Sequence, residues 1–226
     1  SWPQDDFLPY VAYLGKEPPR KPRDWFYDSF LFLAYGGAPS GTTYIDGPSN
    51  KADWEYYLDQ LLFREDRALA ALEACIADVE QTLGPRPKVP VILMIPYPSR
   101  AQNDFGDVDG DGQSEDLSQP ADRQKVVCWC VDEMLRRWKQ IRLPHLTLWG
   151  FYWMNEGIGP HDEAIVRATA GEVHRQRGVT PGLPMLHPFA EGLPSASMHE
   201  HNPRKGAVSR RLAEIRKNMR RFALIR

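Results

Sequence analysis

The sequence predicts an α/β protein: a parallel (β/α) barrel or partial TIM barrel, truncated after the fourth or fifth β/α unit. Three observations carry that expectation. Several apolar, aromatic-rich runs lack period-two alternation, as strands buried on both faces do. These runs alternate with helical periodicities in the order strand, helix, strand, helix, strand, helix, which yields right-handed crossovers and a parallel sheet. Polar residues follow the strands at one common end, where parallel α/β folds bind their ligands.

Taken in order, residues 7–14 (FLPYVAYL) read as a short first strand, and the Pro-rich, basic stretch 16–23 as a loop. Residues 25–35 (WFYDSFLFLAY), closed by Gly36 and Gly37, have the length and aromatic content of a buried strand. One long helix is expected over 51–83. In it Trp54, Leu58, Leu61, Leu62, Leu69, Leu72, Ile76 and Val79 recur at helical spacing, with Asn50 or Asp53 as its cap. Gly84, Pro85 and Pro87 stop it, and residues 89–97 (VPVILMIPY) form the next strand. A helix over 120–141 places Val126, Val127, Cys130, Met134, Leu135 and Trp138 on its apolar side. It leads to the most apolar strand, 145–157 (HLTLWGFYWMNEG), and a third helix over 161–177. Residues 1–178 thus make the partial barrel domain. The remainder, 179–226, is an irregular segment rich in Pro, His and Ser, then a basic amphipathic helix over 204–226.

Composition narrows the function classes. The chain's 226 residues, 42% hydrophobic, are ample for one large core. A net charge of -2 gives no overall reason to expect nucleic acid, and no apolar run reaches the length of a membrane span. The longest local basic feature is the C-terminal helix, whose usual meaning is a solvated face, with nucleic-acid or membrane-surface binding as the alternative. No charged-then-apolar leader stands at Ser1, so a signal peptide, if one existed, was removed or lies outside this chain. Cys75, Cys128 and Cys130 are odd in number and lack a partner at ligand spacing, which points to buried thiols. No glycine-rich turn follows a strand, so a dinucleotide site or a P-loop is unsupported.

Two places carry chemistry. Glu156, after Asn155 at the tip of the 145–157 strand, sits where barrel enzymes keep catalytic groups, although a carboxylate there also serves as a helix cap or an ion-pair partner. The second place is the loop from Asp104 to Asp116. Oxygens at Asp107, Asp109 and Asp111, followed by Gly112 at a sharp turn, match the first half of a calcium loop. Three carboxylates so close together repel one another unless a cation intervenes. The twelfth position is Ser118 rather than Glu, so the later ligands fall to Glu115 or Asp116, with the Gln113 carbonyl between. Calcium in this loop would stiffen the mouth of the site; an empty acidic loop is the alternative.

Together, WFYDSFLFLAYGG, ADWEYYLDQLLF, VILMIPYP, FGDVDGDG with EDLS, and LWGFYWMNEGI resemble the bacterial family known as domain of unknown function 4855, over residues 7–174. The resemblance implies a barrel-like fold, a secreted or cell-surface location and a glycoside hydrolase-like role on carbohydrate. It aligns Glu156 with the acidic residue ending the FYW strand, and Asp107, Asp109 and Asp111 with the acidic loop. After His174 the family's next aromatic strands are missing; only HPFAEG, residues 187–192, is faintly similar to the first. A truncated or frame-shifted C-terminal part is one explanation, since an eight-unit barrel takes about 250 residues, and it would leave the chain inactive if the second catalytic carboxylate belonged to the missing strands.

Glycosidic hydrolysis ordinarily uses two carboxyl groups flanking the bond. Glu156 is the expected general acid/base, with Asn155 on a sugar hydroxyl and Asp28 or Glu191 as the second carboxylate. Trp153, Tyr152, Tyr97 and Tyr35 offer stacking faces and Arg100 a polar contact, although each aromatic residue also suits a core. The alternative is a calcium-stabilised carbohydrate-binding or surface-interaction module without turnover. A second carboxylate within a glycosidic bond's reach of Glu156 separates the two.

Overall fold

The computed structural model of the chain describes residues 2–155, 158–175, 185–186 and 222–225. The N-terminal apolar run is a helix rather than a strand: α1 (Gln4–Val11) buries Phe7 and Val11, one turn apart, and carries Asp5 and Asp6 in its first turn. The chain then forms a two-stranded antiparallel ribbon, β1 (Ala12–Leu14) with β2 (Pro22–Trp25). The second predicted strand is correspondingly shorter. Its Trp25 ends the ribbon, and β3 (Ser29–Phe32) keeps only the fully buried part.

The single helix expected over 51–83 is two helices, α2 (Lys51–Leu62) and α3 (Ala68–Leu83). Apolar spacing continues across the gap, but between buried Leu62 and Leu69 lie exposed Phe63 and a charged run. The N–H of Ala68 is taken by the Trp2 carbonyl at 3.1 Å, so tertiary contact starts α3 afresh. At the start of α2 both predicted caps act together. The Asn50 side chain accepts from Asp53 N–H at 3.0 Å and the Asp53 carboxylate accepts from Asn50 N–H at 3.0 Å, a reciprocal capping box.

β4 (Val89–Ile95), α4 (Pro120–Trp138), β5 (Leu146–Trp153) and α5 (Glu163–Arg175) follow close to expectation. Pro120 opens α4, where its missing N–H costs nothing. Arg137 near its end pairs with Asp59, tying α4 to α2. A register shift between Val91 and Ile92 sets Ile92 opposite Gly150, the one residue of β5 without a side chain. Two short strands flank β5, β4 and β3 in the sheet, β6 (Met185–Leu186) and β7 (Phe222–Ile225).

Among the described residues the five strands of this sheet run parallel in the order β6-β5-β4-β3-β7. The barrel expectation is therefore corrected. Among the described residues β6 and β7 are opposite edges of an open sheet, and no pairing joins them. Closure needs enough tilted, staggered strands to bring the edges together. Here the first apolar run is spent on α1 and the ribbon, and β6 contributes two residues. The segment after residue 178, expected to be irregular and then helical, supplies both edge strands. Residues 204–221 of the expected basic helix lie outside the described residues. The terminal FALI run, expected to end that helix, instead pairs in parallel with β3 and buries Ala223 and Ile225. α2 packs on α3 and α4, α4 on α5, and α1 on α3, which builds one helical layer over one core. No helix among the described residues is long and apolar enough to cross a membrane.

Candidate functional site

The C-terminal ends of β3, β4 and β5 meet at one rim. Beyond β4, the Tyr97 N–H donates to the Tyr44 carbonyl at 2.9 Å, and the Tyr44 N–H donates to the Tyr35 carbonyl at 3.1 Å, so the β3–α2 loop stitches two strand tips together. Tyr44 is held from below by its hydroxyl, which donates to the Asp53 carbonyl at 2.9 Å. The Tyr57 hydroxyl donates to the Met94 carbonyl at 2.9 Å. Burial, then the neighbouring Asp53 charge, pushes the Tyr44 phenol well above its ordinary pKa. Burial also raises Tyr57. Both phenols stay protonated and act as donors. Beside them, at the tip of β3, opens a cavity of about 600 Å³ lined by Tyr35, Tyr44, Tyr56, Tyr57, Gln60 and Arg67 among others.

A second cluster locks the rim between β4 and β5. Arg123, 1% exposed, donates through Nη2 to Asp162 at 2.7 Å, through Nε to the Pro98 carbonyl at 2.9 Å and through Nη1 to the His161 carbonyl at 3.1 Å. It lies 5.5 Å from the centre of the Tyr97 ring, which meets Trp153 edge to face at 6.0 Å. One guanidinium thus ties α4 to the loops after β4 and β5. Neither Arg123 nor Asp162 stands out from the sequence as a site residue. The available signal was Arg123 itself, a charge on the apolar face of α4 three, four and seven residues before Val126, Val127 and Cys130.

The predicted site residues divide. Asn155 is half-buried at the β5 tip, and Tyr97 and Tyr35 are half-buried at the same rim. Trp153 and Tyr152 are core residues, 0% and 8% exposed, so their faces are covered by protein. Arg100 is exposed on the turn beyond β4. Asp28 is at the other end of the sheet, just before β3, where it pairs with Arg86 at 3.5 Å. The structure does not bring Asp28 and Asn155 together. Glu156 and Glu191 lie outside the described residues.

In the acidic loop the carboxylates of Asp107, Asp109 and Glu115 converge, with oxygens within 4.8 Å of one another. Asp107 accepts backbone N–H bonds from Gly112 at 2.8 Å, Gly110 at 2.6 Å and Asp109 at 3.1 Å, which hold its carboxyl below the usual range. Gly110 and Gly112 take positive φ of 81° and 84°, the turn that the sequence demanded. Asp111 instead accepts from the Gln113 N–H at 2.8 Å, and Asp116 from the Ser118 N–H at 2.9 Å. The Lys125 ammonium, which sequence reading missed, bridges Asp109 at 2.7 Å and Glu115 at 2.8 Å. Mutual repulsion of the carboxylates is thereby relieved by the protein's own cation.

A sequence model for the family described as Domain of unknown function (DUF4855) matches residues 1–180. The chain belongs to this family. No curated protein and no solved structure matches it. The DUF4855 match takes in the whole rim, the acidic loop and every element through α5, whereas β6 and β7 come after it.

Proposed function

We propose that this DUF4855 chain is a carbohydrate-binding module whose sugar occupies the tyrosine-walled cavity at the tip of β3. The supporting observation is the cavity's make-up. Its volume of about 600 Å³ is that of a small-molecule site, half-buried Tyr35 and exposed Tyr56 offer flat apolar surface above the buried Tyr44 and Tyr57, and Gln60 and Arg67 offer donors for hydroxyl groups. No acidic residue is among its described lining, which favours binding over the two-carboxylate chemistry of hydrolysis. Calcium at Asp107, Asp109 and Glu115 would stiffen the neighbouring loop, and to bind it must displace the Lys125 ammonium.

The second reading, a glycoside hydrolase-like enzyme, is favoured by Asn155 at the β5 tip, with Glu156 next in sequence. Two strand spacings, about 10 Å, separate that tip from the tip of β3 along the sheet. Calorimetric titration with a panel of soluble oligosaccharides, run alongside a reducing-sugar assay, separates the two. Wild type should bind one sugar class without cleaving it. Tyr56→Ala, at a position 42% exposed, should weaken binding roughly tenfold, and Glu156→Gln should leave it unchanged. Hydrolysis by wild type that is lost in Glu156→Gln would replace the binding reading, and failure to bind any sugar would end both.

A further inference from the structure

His145 immediately precedes β5, and both nitrogens of its ring face carboxylates of α3. Nδ1 contacts Glu73, and Nε2 lies 2.7 Å from Glu80. The His145 N–H donates to both Glu73 oxygens at 3.1 Å, while its carbonyl accepts from the Val89 N–H at 2.7 Å. One residue therefore joins α3, β4 and β5 at their shared end. An ionised carboxylate has no proton to give, and neutral imidazole carries a single N–H. Two carboxylate partners on two ring nitrogens call for the doubly protonated, positively charged ring.

Glu73 and Glu80 are two turns apart on α3 and so share a face. Asp78, the other acid nearby on that helix, is taken by Gln4 of α1 at 2.5 Å. β4 meets His145 through backbone, and the adjoining cations, Lys88 and Arg142, are exposed.

We propose that His145 is a pH-governed clasp that fastens α3 to the root of β5, closed while its imidazolium bridges Glu73 and Glu80 and loosened when the ring loses a proton. Deprotonation turns one donor into a lone pair facing a carboxylate, so a bond becomes a repulsion. Burial works against the charged ring, yet hydrogen bonds and charges from Glu73 and Glu80 outweigh it and raise its pKa above the ordinary histidine value. A raised folded-state pKa gives stability that is complete below the unfolded value of about 6.5 and is lost as pH rises through the folded value. Each unit of elevation corresponds to about a tenfold change in the folding constant. The strand loosened at its root is the one that presents Asn155 at its tip.

Long-range ¹H–¹⁵N NMR of the intact chain, with urea unfolding across pH 5.5–9, tests the clasp. At pH 5.5 both His145 nitrogens should carry protons, and the unfolding midpoint should fall as the ring titrates at higher pH. His145→Gln should be less stable at pH 6 and lose that pH dependence. A ring that titrates no higher in the folded chain than in the urea-unfolded one, or an undiminished pH dependence in folded His145→Gln, would overturn the proposal. Should that variant fail to fold, Glu80→Gln serves instead: the ring's titration must move down, and an unmoved titration overturns the clasp equally.

Discussion

The two ends of the parallel sheet are built from opposite materials. At the strands' N-terminal ends the links are ion pairs with access to water: Asp28 with Arg86, whose guanidinium also stacks 4.5 Å above Trp25, and His145 with Glu73 and Glu80. At the C-terminal ends the links are buried: Arg123 with Asp162 at 2.7 Å, phenol hydroxyls on backbone carbonyls, and aromatic edges on aromatic faces. A pair left in water is worth little and can be remodelled, whereas a buried charge without its partner is strongly destabilising. The lower end therefore responds to solution conditions, and the upper end holds its loops in one arrangement around the cavity.

The sharpest way to break this contrast is Arg123→Leu. It strands the Asp162 carboxylate at 4% exposure and should cost about 3–5 kcal/mol in urea unfolding. A loss under about 1 kcal/mol would mean that Arg123 does not lock the rim. Asp53→Ala comes next. This carboxylate accepts from Ser40 N–H at 3.0 Å, Ser40 hydroxyl at 2.7 Å and Asn50 N–H at 3.0 Å, so its removal undoes the cap and the loop beside the cavity together. About 1–2 kcal/mol is expected, with sugar binding weakened in parallel. Lys125→Met sharpens the picture of the acidic loop: with the competing ammonium gone, calorimetry should show calcium affinity roughly tenfold above wild type. Equal, negligible heats in both proteins would remove calcium from the proposal. Asp28→Asn is the smallest perturbation, expected below about 1 kcal/mol and without effect on sugar binding, because its partner sits at the far end of the sheet.

Much of the fold was legible in the residues. VPVILMIPY and the run around LTLWGFYW read as parallel buried strands because they are apolar almost throughout, with Thr147 the polar exception, and they are neighbours in the sheet. The Asn50–Asp53 cap and the Pro120 start were equally plain. What misled was length. A helix and a strand share an eight-residue apolar run such as FLPYVAYL, and period alone does not show that residues 63–67 interrupt a helix whose apolar spacing carries on beyond them. Of the candidate site, the acidic loop's shape was readable from its glycines and aspartates. Its counter-charge was not, since Lys125 reaches it from α4, ten residues beyond Glu115.

Sequence by itself determined the local grammar: which central runs are buried, where α2 and α4 begin, and where the acidic loop must turn at Gly112. These follow from hydration and steric limits that each short segment meets alone. Only the tertiary structure decided that a run of four residues at the chain's end would pair beside β3, that Asp28 would face Arg86 away from Asn155, and that Arg123 would find Asp162. Those outcomes depend on free energies of burial and pairing between segments far apart along the chain, and no window of sequence contains both partners.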